Sequence, residues 1–185
     1  SIYMPVTTPK QKIEQVRMFG KEYIDIVLVG DTFDAANSAA IEYANKSGKT
    51  FIPPFDDEKI IEGQGTVGLE ILQQSRVAID YIFVPIGGGG LASGLGSVCK
   101  LMSPSTKIIG VEPAGAAGMK QSFEKGEVVE LGESDKFVEG AAVQKVGDIT
   151  FEVCRQVLAD IVVVPEGKVC STILNLYNFD AIVVE

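Results

Sequence analysis

Short runs rich in β-branched residues alternate with amphipathic stretches along the whole chain, and this alternation constrains the fold more than any other feature. Strands separated by helix-length segments are typical of a parallel sheet whose crossover connections are helices. No internal repeat or low-complexity segment interrupts the pattern. The sequence therefore predicts an α/β fold, in which helices flank a mostly parallel sheet in three layers.

The local patterns predict individual elements and one boundary between domains. Two consecutive prolines, Pro53 and Pro54, exclude a regular helix, and the domain boundary is predicted near them, between residues 1–50 and 51–185. The first and last predicted strands lie at the two chain ends, so the chain is expected to be a piece of a longer protein. Strands are predicted at 2–5, 24–29, 50–52, 81–84, 107–111, 161–164 and 181–184, and helices at 9–20, 34–47, 65–74, 91–102, 116–125, 148–158 and 167–177. The segment 127–147 has no sustained period and is predicted to be irregular.

Composition excludes several classes of function. The net charge is -9 and the 16 basic residues are scattered, which is unfavourable for binding nucleic acid or an anionic membrane surface. No apolar run approaches the roughly 20 residues of a membrane span, and no signal-peptide pattern is found at the start. A cytoplasmic protein is expected.

The counts of cysteine and histidine narrow the chemistry further. Cys99, Cys154 and Cys170 are widely spaced among apolar neighbours and are predicted to be buried structural thiols rather than disulfide or zinc ligands. The chain has no His, which excludes a His-containing catalytic triad and a His-ligated metal site. Any catalysis must therefore use Lys, carboxylates, hydroxyls or a cofactor.

Four consecutive glycines, Gly87 to Gly90, follow the strand predicted at 81–84, which is expected to be buried, and precede a predicted helix. This order brings several backbone N–H groups and a helix N-terminus around one concavity, which suits an anion such as phosphate. Glycine allows a close approach to phosphate and permits positive φ angles. The alternative is a purely structural strand-to-helix connection.

The residues around the glycines limit which phosphate compound could bind. Leu91-Ala92-Ser93 stands where a P-loop would have Lys followed by Ser or Thr. This difference argues against a P-loop. A dinucleotide site remains open, because Glu112 follows Gly90 by about the distance expected of a ribose-binding acid.

Two further runs are unusual in composition. In the first, Glu62 to Thr66, two glycines precede a predicted helix that Thr66 could cap. In the second, Glu139 and Gly140 interrupt an apolar stretch, and the carboxylate would need a partner if it were buried.

Taken together, these runs resemble the threonine dehydratases of the biosynthetic type, a group of pyridoxal-phosphate enzymes with the tryptophan-synthase-β-like fold. The resemblance covers nearly the whole chain in order: Phe51 to Asp57, Gly63 to Thr66, the glycine run with Leu91 to Gly94, Val111 to Pro113, Glu139 to Val143 and Gly147 to Phe151. It implies that the parent protein uses pyridoxal 5'-phosphate to convert L-threonine into 2-oxobutanoate and ammonia for isoleucine biosynthesis. It also implies a homo-oligomer.

The resemblance assigns roles to particular residues. It implies that the backbone N–H groups of the cofactor-binding residues Gly87, Gly88, Gly89, Gly90 and Leu91 hold the phosphate, and that Glu139 and Gly140 lie beside the pyridine ring. Residues 1–50 resemble part of the smaller domain of the family, and residues 51–185 resemble most of the larger one.

Other parts of the family pattern are expected outside this chain. The lysine that forms the Schiff base and the loop that holds the substrate carboxylate belong upstream of residue 1, so no residue of this chain is assigned as catalytic and the chain alone is expected to be inactive. Some relatives bind a cation through a Glu at the position of Glu112 and a second acid. This chain has Gly115 to Gly118 there, so no metal site is expected.

Three alternatives remain open at this point. Serine dehydratase or serine racemase, and cysteine synthase, share the fold and the cofactor. The third is a module that binds phosphate or a nucleotide without catalysis.

Overall fold

The computed structural model describes residues 1–132, 134–135 and 137–184, and the chain divides into two compact units, Ser1–Ile52 and Pro53–Glu185. Each unit contains its own parallel sheet. The predicted α/β class, with parallel sheets flanked by helices, is confirmed. In the described part of the chain no helix combines the length and the apolar character needed to cross a membrane.

The first unit is a small β-α-β-α arrangement. Its strands β1 (Ile2–Met4) and β2 (Ile26–Leu28) pair in parallel, and α1 (Lys10–Gly20) and a short 3₁₀ helix lie between them in sequence. Helix α2 (Phe33–Ser47) begins at Thr32, whose hydroxyl accepts a hydrogen bond from Ala35 N, and ends at Gly48 in the left-handed conformation. Both ends of α2 follow common helix-capping patterns.

The second unit has a three-stranded parallel sheet in the order β3-β4-β5. Its elements are α3 (Glu58–Gln74), β3 (Tyr81–Pro85), α4 (Gly90–Met102), β4 (Lys107–Pro113), α5 (Gly118–Lys125), α6 (Asp148–Val157), β5 (Leu158–Val164) and α7 (Glu166–Asp180). The core lies where one sheet face meets α4 and α6, and it includes Val84, Leu95, Ile108, Phe151 and Ile161.

Several local predictions are wrong. Residues 50–52 and 181–184 are not strands, and neither run pairs with another strand in the described part of the chain. Strand β3 is not buried throughout, since the side chain of Phe83 is 65% exposed. Cys99 and Cys154 are buried as predicted, but Cys170 is exposed.

The segment 127–147 contains no helix or extended strand among its described residues, and its one bridge joins Glu130 to Lys145. Residues 133 and 136 of this segment lie outside the described part of the chain. The predicted irregular structure is confirmed for the remaining residues.

Candidate functional site

The glycine loop, residues Gly87–Gly90, connects the carboxyl end of β3 to the first turn of α4. Ile86 N donates a hydrogen bond to Val111 O at 2.9 Å, which keeps the chain beside β4 until the loop begins. Three of the four glycines, Gly88 to Gly90, are buried. The loop therefore lies at the sheet edge where ligands of parallel α/β proteins usually bind.

Two of these glycines cannot be replaced by a larger residue without a clash. Gly89 has a φ of +97°, and a Cβ on it would lie 2.8 Å from Met119 Cε and from Thr150 Oγ1. A Cβ on Gly88 would overlap the ring of Phe55. The tight packing explains why the run consists of glycine, because the backbone is enclosed by the side chains of Phe55, Met119 and Thr150.

The loop carbonyls are held by the following helices. Gly88 O accepts hydrogen bonds from Thr150 Oγ1 at 2.6 Å and from Gly147 N at 3.2 Å. Gly89 O accepts from Ser93 N at 2.9 Å. The acceptor side of the loop is therefore bonded to α4 and to the start of α6.

The donor side of the loop has no partner among the residues that the structure describes. Between the described residues, no hydrogen bond is donated by the backbone N–H groups of Gly87, Gly88, Gly89, Gly90 or Leu91. Buried N–H groups normally have partners. An anion bound at this helix N-terminus would supply them.

The second predicted part of the site lies next to the loop. A Cβ on Gly87 would lie 3.2 Å from Ala141 Cα and 3.4 Å from Gly140 O, so the backbone of this turn packs directly against the first glycine. Glu139 and Gly140 are both exposed. The structure thus brings Gly140 to the loop that the sequence had singled out.

Glu112 is not available to a ribose or to a cation. It is 1% exposed, and its two carboxylate oxygens accept hydrogen bonds from Met119 N and Lys120 N, each at 2.8 Å. Burial raises the pKa of Glu112 from 4.5 to about 7, although both N–H groups and the Lys120 ammonium favour the charged form. The dinucleotide alternative therefore loses the acid on which it depended. No group of three or more potential metal-ligating side chains is found among the residues that the structure describes.

The prediction that Thr66 caps a helix is wrong. Helix α3 begins at Glu58, with Asp57 as its N-cap, and Thr66 lies in its interior with its hydroxyl donating to Gly63 O at 2.8 Å. Gly65 instead faces α4, where a Cβ would lie 3.1 Å from Val98 Cγ2. Gly65 therefore allows the close packing of the two helices, whereas a Cβ on Gly63 would meet nothing within 4 Å.

Sequence reasoning missed three residues around the loop: Phe55, Asp56 and Thr150. Phe55 covers Gly88, Thr150 binds Gly88 O, and Asp56 accepts hydrogen bonds from the first N–H groups of α6. The signal is a Phe-Asp pair after two prolines, but the N–H groups that Asp56 binds lie more than ninety residues later.

Cys154 also lies beside the loop, with its Sγ 3.9 Å from Gly89 O. Burial raises the pKa of the thiol to about 11. The thiol therefore stays protonated near neutral pH and is a poor nucleophile.

Comparison with known proteins identifies the group to which these features belong. A protein of Halalkalibacterium halodurans named L-threonine dehydratase biosynthetic IlvA is 60% identical over 184 residues, which are 100% of this chain and 44% of that protein. The chain thus spans less than half the length of this curated relative.

Solved structures give the same result. The processed form of threonine deaminase isoform 2 from Solanum lycopersicum superposes with a TM-score of 0.89 at 43% identity, over 98% of this chain and 52% of that one. Maize serine racemase superposes with a TM-score of 0.88 at 31% identity, over 98% of this chain and 54% of that one. These matches confirm the resemblance and the tryptophan-synthase-β-like fold, of which this chain is a part.

The family described as "Pyridoxal-phosphate dependent enzyme" matches residues 1–185. The match covers the glycine loop, the turn at Gly140 and the helix that binds Gly88 O. The chain belongs to this family of pyridoxal-phosphate-dependent enzymes.

Proposed function

We propose that the protein containing this chain is a threonine ammonia-lyase, which converts L-threonine into 2-oxobutanoate and ammonia with pyridoxal 5'-phosphate as cofactor. The observation that carries the proposal is the glycine loop, whose backbone N–H groups have no partner among the described residues. The name of the 60% identical relative supports threonine as substrate and isoleucine biosynthesis as the pathway.

The loop fits a phosphate group in shape and in chemistry. The packing around Gly88 and Gly89 leaves no room for a side chain on either residue, and the N-terminus of α4 points towards the same region. Phosphate is favoured at such a position by the N–H donors and by the helix dipole. No positively charged side chain is required, which agrees with the scattered basic residues.

In this proposal, the residues of this chain bind and orient the cofactor. We assign the phosphate to the N–H groups of Gly87 to Gly90 and Leu91, and the flank of the pyridine ring to Glu139 and Gly140, whose turn packs against Gly87. When bound, pyridoxal phosphate supplies an electron sink for negative charge at the substrate carbon next to the amino group. By holding the phosphate, the loop fixes the position of the reacting carbon.

The remaining proposals concern the whole protein. The lysine that binds the cofactor covalently and the loop for the substrate carboxylate are assigned to the part outside residues 1–185. Residues 1–50 are proposed to be part of a smaller domain and residues 51–185 most of a larger one. The protein is proposed to act in the cytoplasm as a homo-oligomer, without nucleic acid or membrane as a partner.

The experiment that tests this function uses the purified full-length protein with and without added pyridoxal phosphate. We expect cofactor-dependent release of 2-oxobutanoate from L-threonine, measured against release of pyruvate from L-serine. The isolated 185-residue chain is the control and is expected to produce neither. A full-length protein that binds no pyridoxal phosphate contradicts the proposal and supports a non-catalytic phosphate-binding module.

A second candidate is supported by the similarity to maize serine racemase. Turnover of serine without turnover of threonine would favour a serine dehydratase or racemase. Formation of cysteine from sulfide and an activated serine would instead favour a cysteine synthase.

A further inference from the structure

Two adjacent carboxylates, Asp56 and Asp57, cap two different helices. Asp57 accepts hydrogen bonds from Lys59 N at 2.9 Å and Ile60 N at 3.3 Å, at the start of its own helix α3. Asp56 caps α6, which begins 92 residues later. One short segment therefore fixes the N-termini of two helices that are distant in sequence.

Asp56 replaces a cap that α6 itself lacks. The N-cap residue of α6 is Gly147, which has no side chain to accept a hydrogen bond. Asp56 Oδ2 accepts from Asp148 N at 3.0 Å, and Asp56 Oδ1 accepts from Ile149 N at 2.9 Å and Thr150 N at 3.1 Å. Three N–H groups that the helix leaves without intrahelical partners are thus bound by one carboxylate.

The capped turn is the part of α6 that holds the glycine loop. Thr150 Oγ1 donates to Gly88 O at 2.6 Å, and Gly147 N donates to the same oxygen at 3.2 Å. In a planar trans peptide the C=O and the N–H point in opposite directions. Binding of Gly88 O on the α6 side therefore directs the N–H of Gly89 away from α6.

We infer that Asp56 is a positioning residue for phosphate binding, which acts through Thr150 to fix the orientation of the Gly88–Gly89 peptide. This inference rests on the proposed function, because it assigns the ligand of the loop as a phosphate monoester. Without the carboxylate, the first turn of α6 loses its cap and the peptide loses the two donors that hold it. The loop then binds phosphate less well, while the rest of the cofactor site is unchanged.

The test compares two ligands on the full-length apoprotein: pyridoxal phosphate and pyridoxal, which lacks the phosphate. For Asp56→Ala we expect pyridoxal phosphate to bind about tenfold more weakly, the effect of losing a strong helix cap. Pyridoxal should bind almost as in the wild type. Asp56→Asn should weaken binding less than Asp56→Ala, because the amide still has one of the two acceptor oxygens.

Asp57→Ala is the matched control. It removes a carboxylate cap at the neighbouring residue, but this cap belongs to α3, which donates no hydrogen bond to the glycine loop among the described residues. We expect lower stability with an unchanged ratio of the two affinities. Hydrogen exchange in the apoproteins gives a second reading: the N–H groups of residues 148–150, which Asp56 binds, should exchange faster in Asp56→Ala than in Asp57→Ala.

Thr150 provides an independent pair of variants if Asp56→Ala does not fold. Thr150→Ser keeps the hydroxyl and should keep the affinity ratio, whereas Thr150→Val removes the donor and should lower the affinity for pyridoxal phosphate only. An equal affinity ratio in these two variants overturns the inference, as does an unchanged ratio in a folded Asp56→Ala protein. Failure of the wild type to bind pyridoxal phosphate overturns the proposed function itself.

Discussion

At the scale of single residues, Gly89 is subject to two constraints that can be separated by experiment. Its φ of +97° is unfavourable for any side chain, and a Cβ would lie 2.8 Å from Met119 Cε and Thr150 Oγ1. Gly126 has a similar φ of +79°, but a Cβ on it would meet nothing within 4 Å. The two glycines therefore differ only in the second constraint.

We predict that Gly89→Ala destabilises the full-length apoprotein by about 3 kcal/mol, since backbone strain and overpacking add. Gly126→Ala should cost about 1 kcal/mol, because only the backbone strain applies. Urea denaturation of both variants measures the difference in the free energy of unfolding. Equal losses would show that the enclosure of the loop has no energetic consequence.

The same scale shows which parts of the site can be read from sequence. The glycine loop was predictable because its signal is local: a strand, four glycines and a helix in succession. The role of Asp56 was not, because the N–H groups that it binds lie 92 to 94 residues later. For Glu112, spacing alone indicates a ribose-binding acid and does not reveal that both carboxylate oxygens accept hydrogen bonds from the start of α5.

At the scale of elements, the main error concerned the start of α3. Glycines lower helix propensity, and the sequence predicts a helix that begins only at residue 65, after Gly63. In the structure, tertiary packing outweighs that preference, since Gly65 and Gly68 allow α3 to approach α4 closely. Residues 50–52 illustrate the opposite case, because β-branched composition does not form a strand without a partner to pair with.

The close contact between α3 and α4 leads to a second prediction. A Cβ on Gly94 of α4 would overlap Ile61 O and lie 2.6 Å from Gly65 N, and both are backbone atoms that cannot rotate away. We expect Gly94→Ala to lower the free energy of unfolding by about 3 kcal/mol, in the upper range for overpacking.

Gly63 is the control for this prediction, because a Cβ on it would meet nothing within 4 Å. Gly63→Ala should stabilise the protein by up to about 1 kcal/mol, the usual gain from replacing glycine inside a helix. Thermal or urea denaturation of both variants provides the measurement. Stabilisation by both would mean that the two helices do not pack as closely as described.

At the scale of the whole molecule, the chain carries 25 acidic and 16 basic residues, and its stability must depend on pH. Glu112 differs from the exposed acids because burial raises its pKa to about 7. Glu42, which is exposed, has its pKa lowered by a hydrogen bond and the charge of Lys46. The contributions of these two residues to stability therefore change with pH in opposite directions.

The sign for Glu112 follows from linkage. Its pKa is higher in the folded state, about 7, than the value of 4.5 expected after unfolding, so the folded state binds more protons between these values. Its contribution is complete below pH 4.5 and is lost as the pH rises through 7. Above pH 7 this buried charge costs at most about 3 kcal/mol, at 1.36 kcal/mol for each pKa unit.

We predict that Glu112→Gln flattens the pH dependence of the free energy of unfolding between pH 5 and pH 8. Glutamine is neutral like the protonated acid but keeps only one acceptor oxygen for the two N–H groups, so the variant should be less stable than the wild type near pH 5. Between pH 5 and pH 8 this difference should shift by up to about 3 kcal/mol in favour of the variant, because only the wild type ionises. Urea denaturation of the full-length protein at several pH values measures this change.

Glu42→Gln is the control. The stability that Glu42 provides is lost only as the pH falls through its lowered pKa, so the difference in free energy of unfolding between this variant and the wild type should stay constant between pH 5 and pH 8. Parallel curves for the wild type and Glu112→Gln would mean that Glu112 titrates in the folded protein as an ordinary exposed acid.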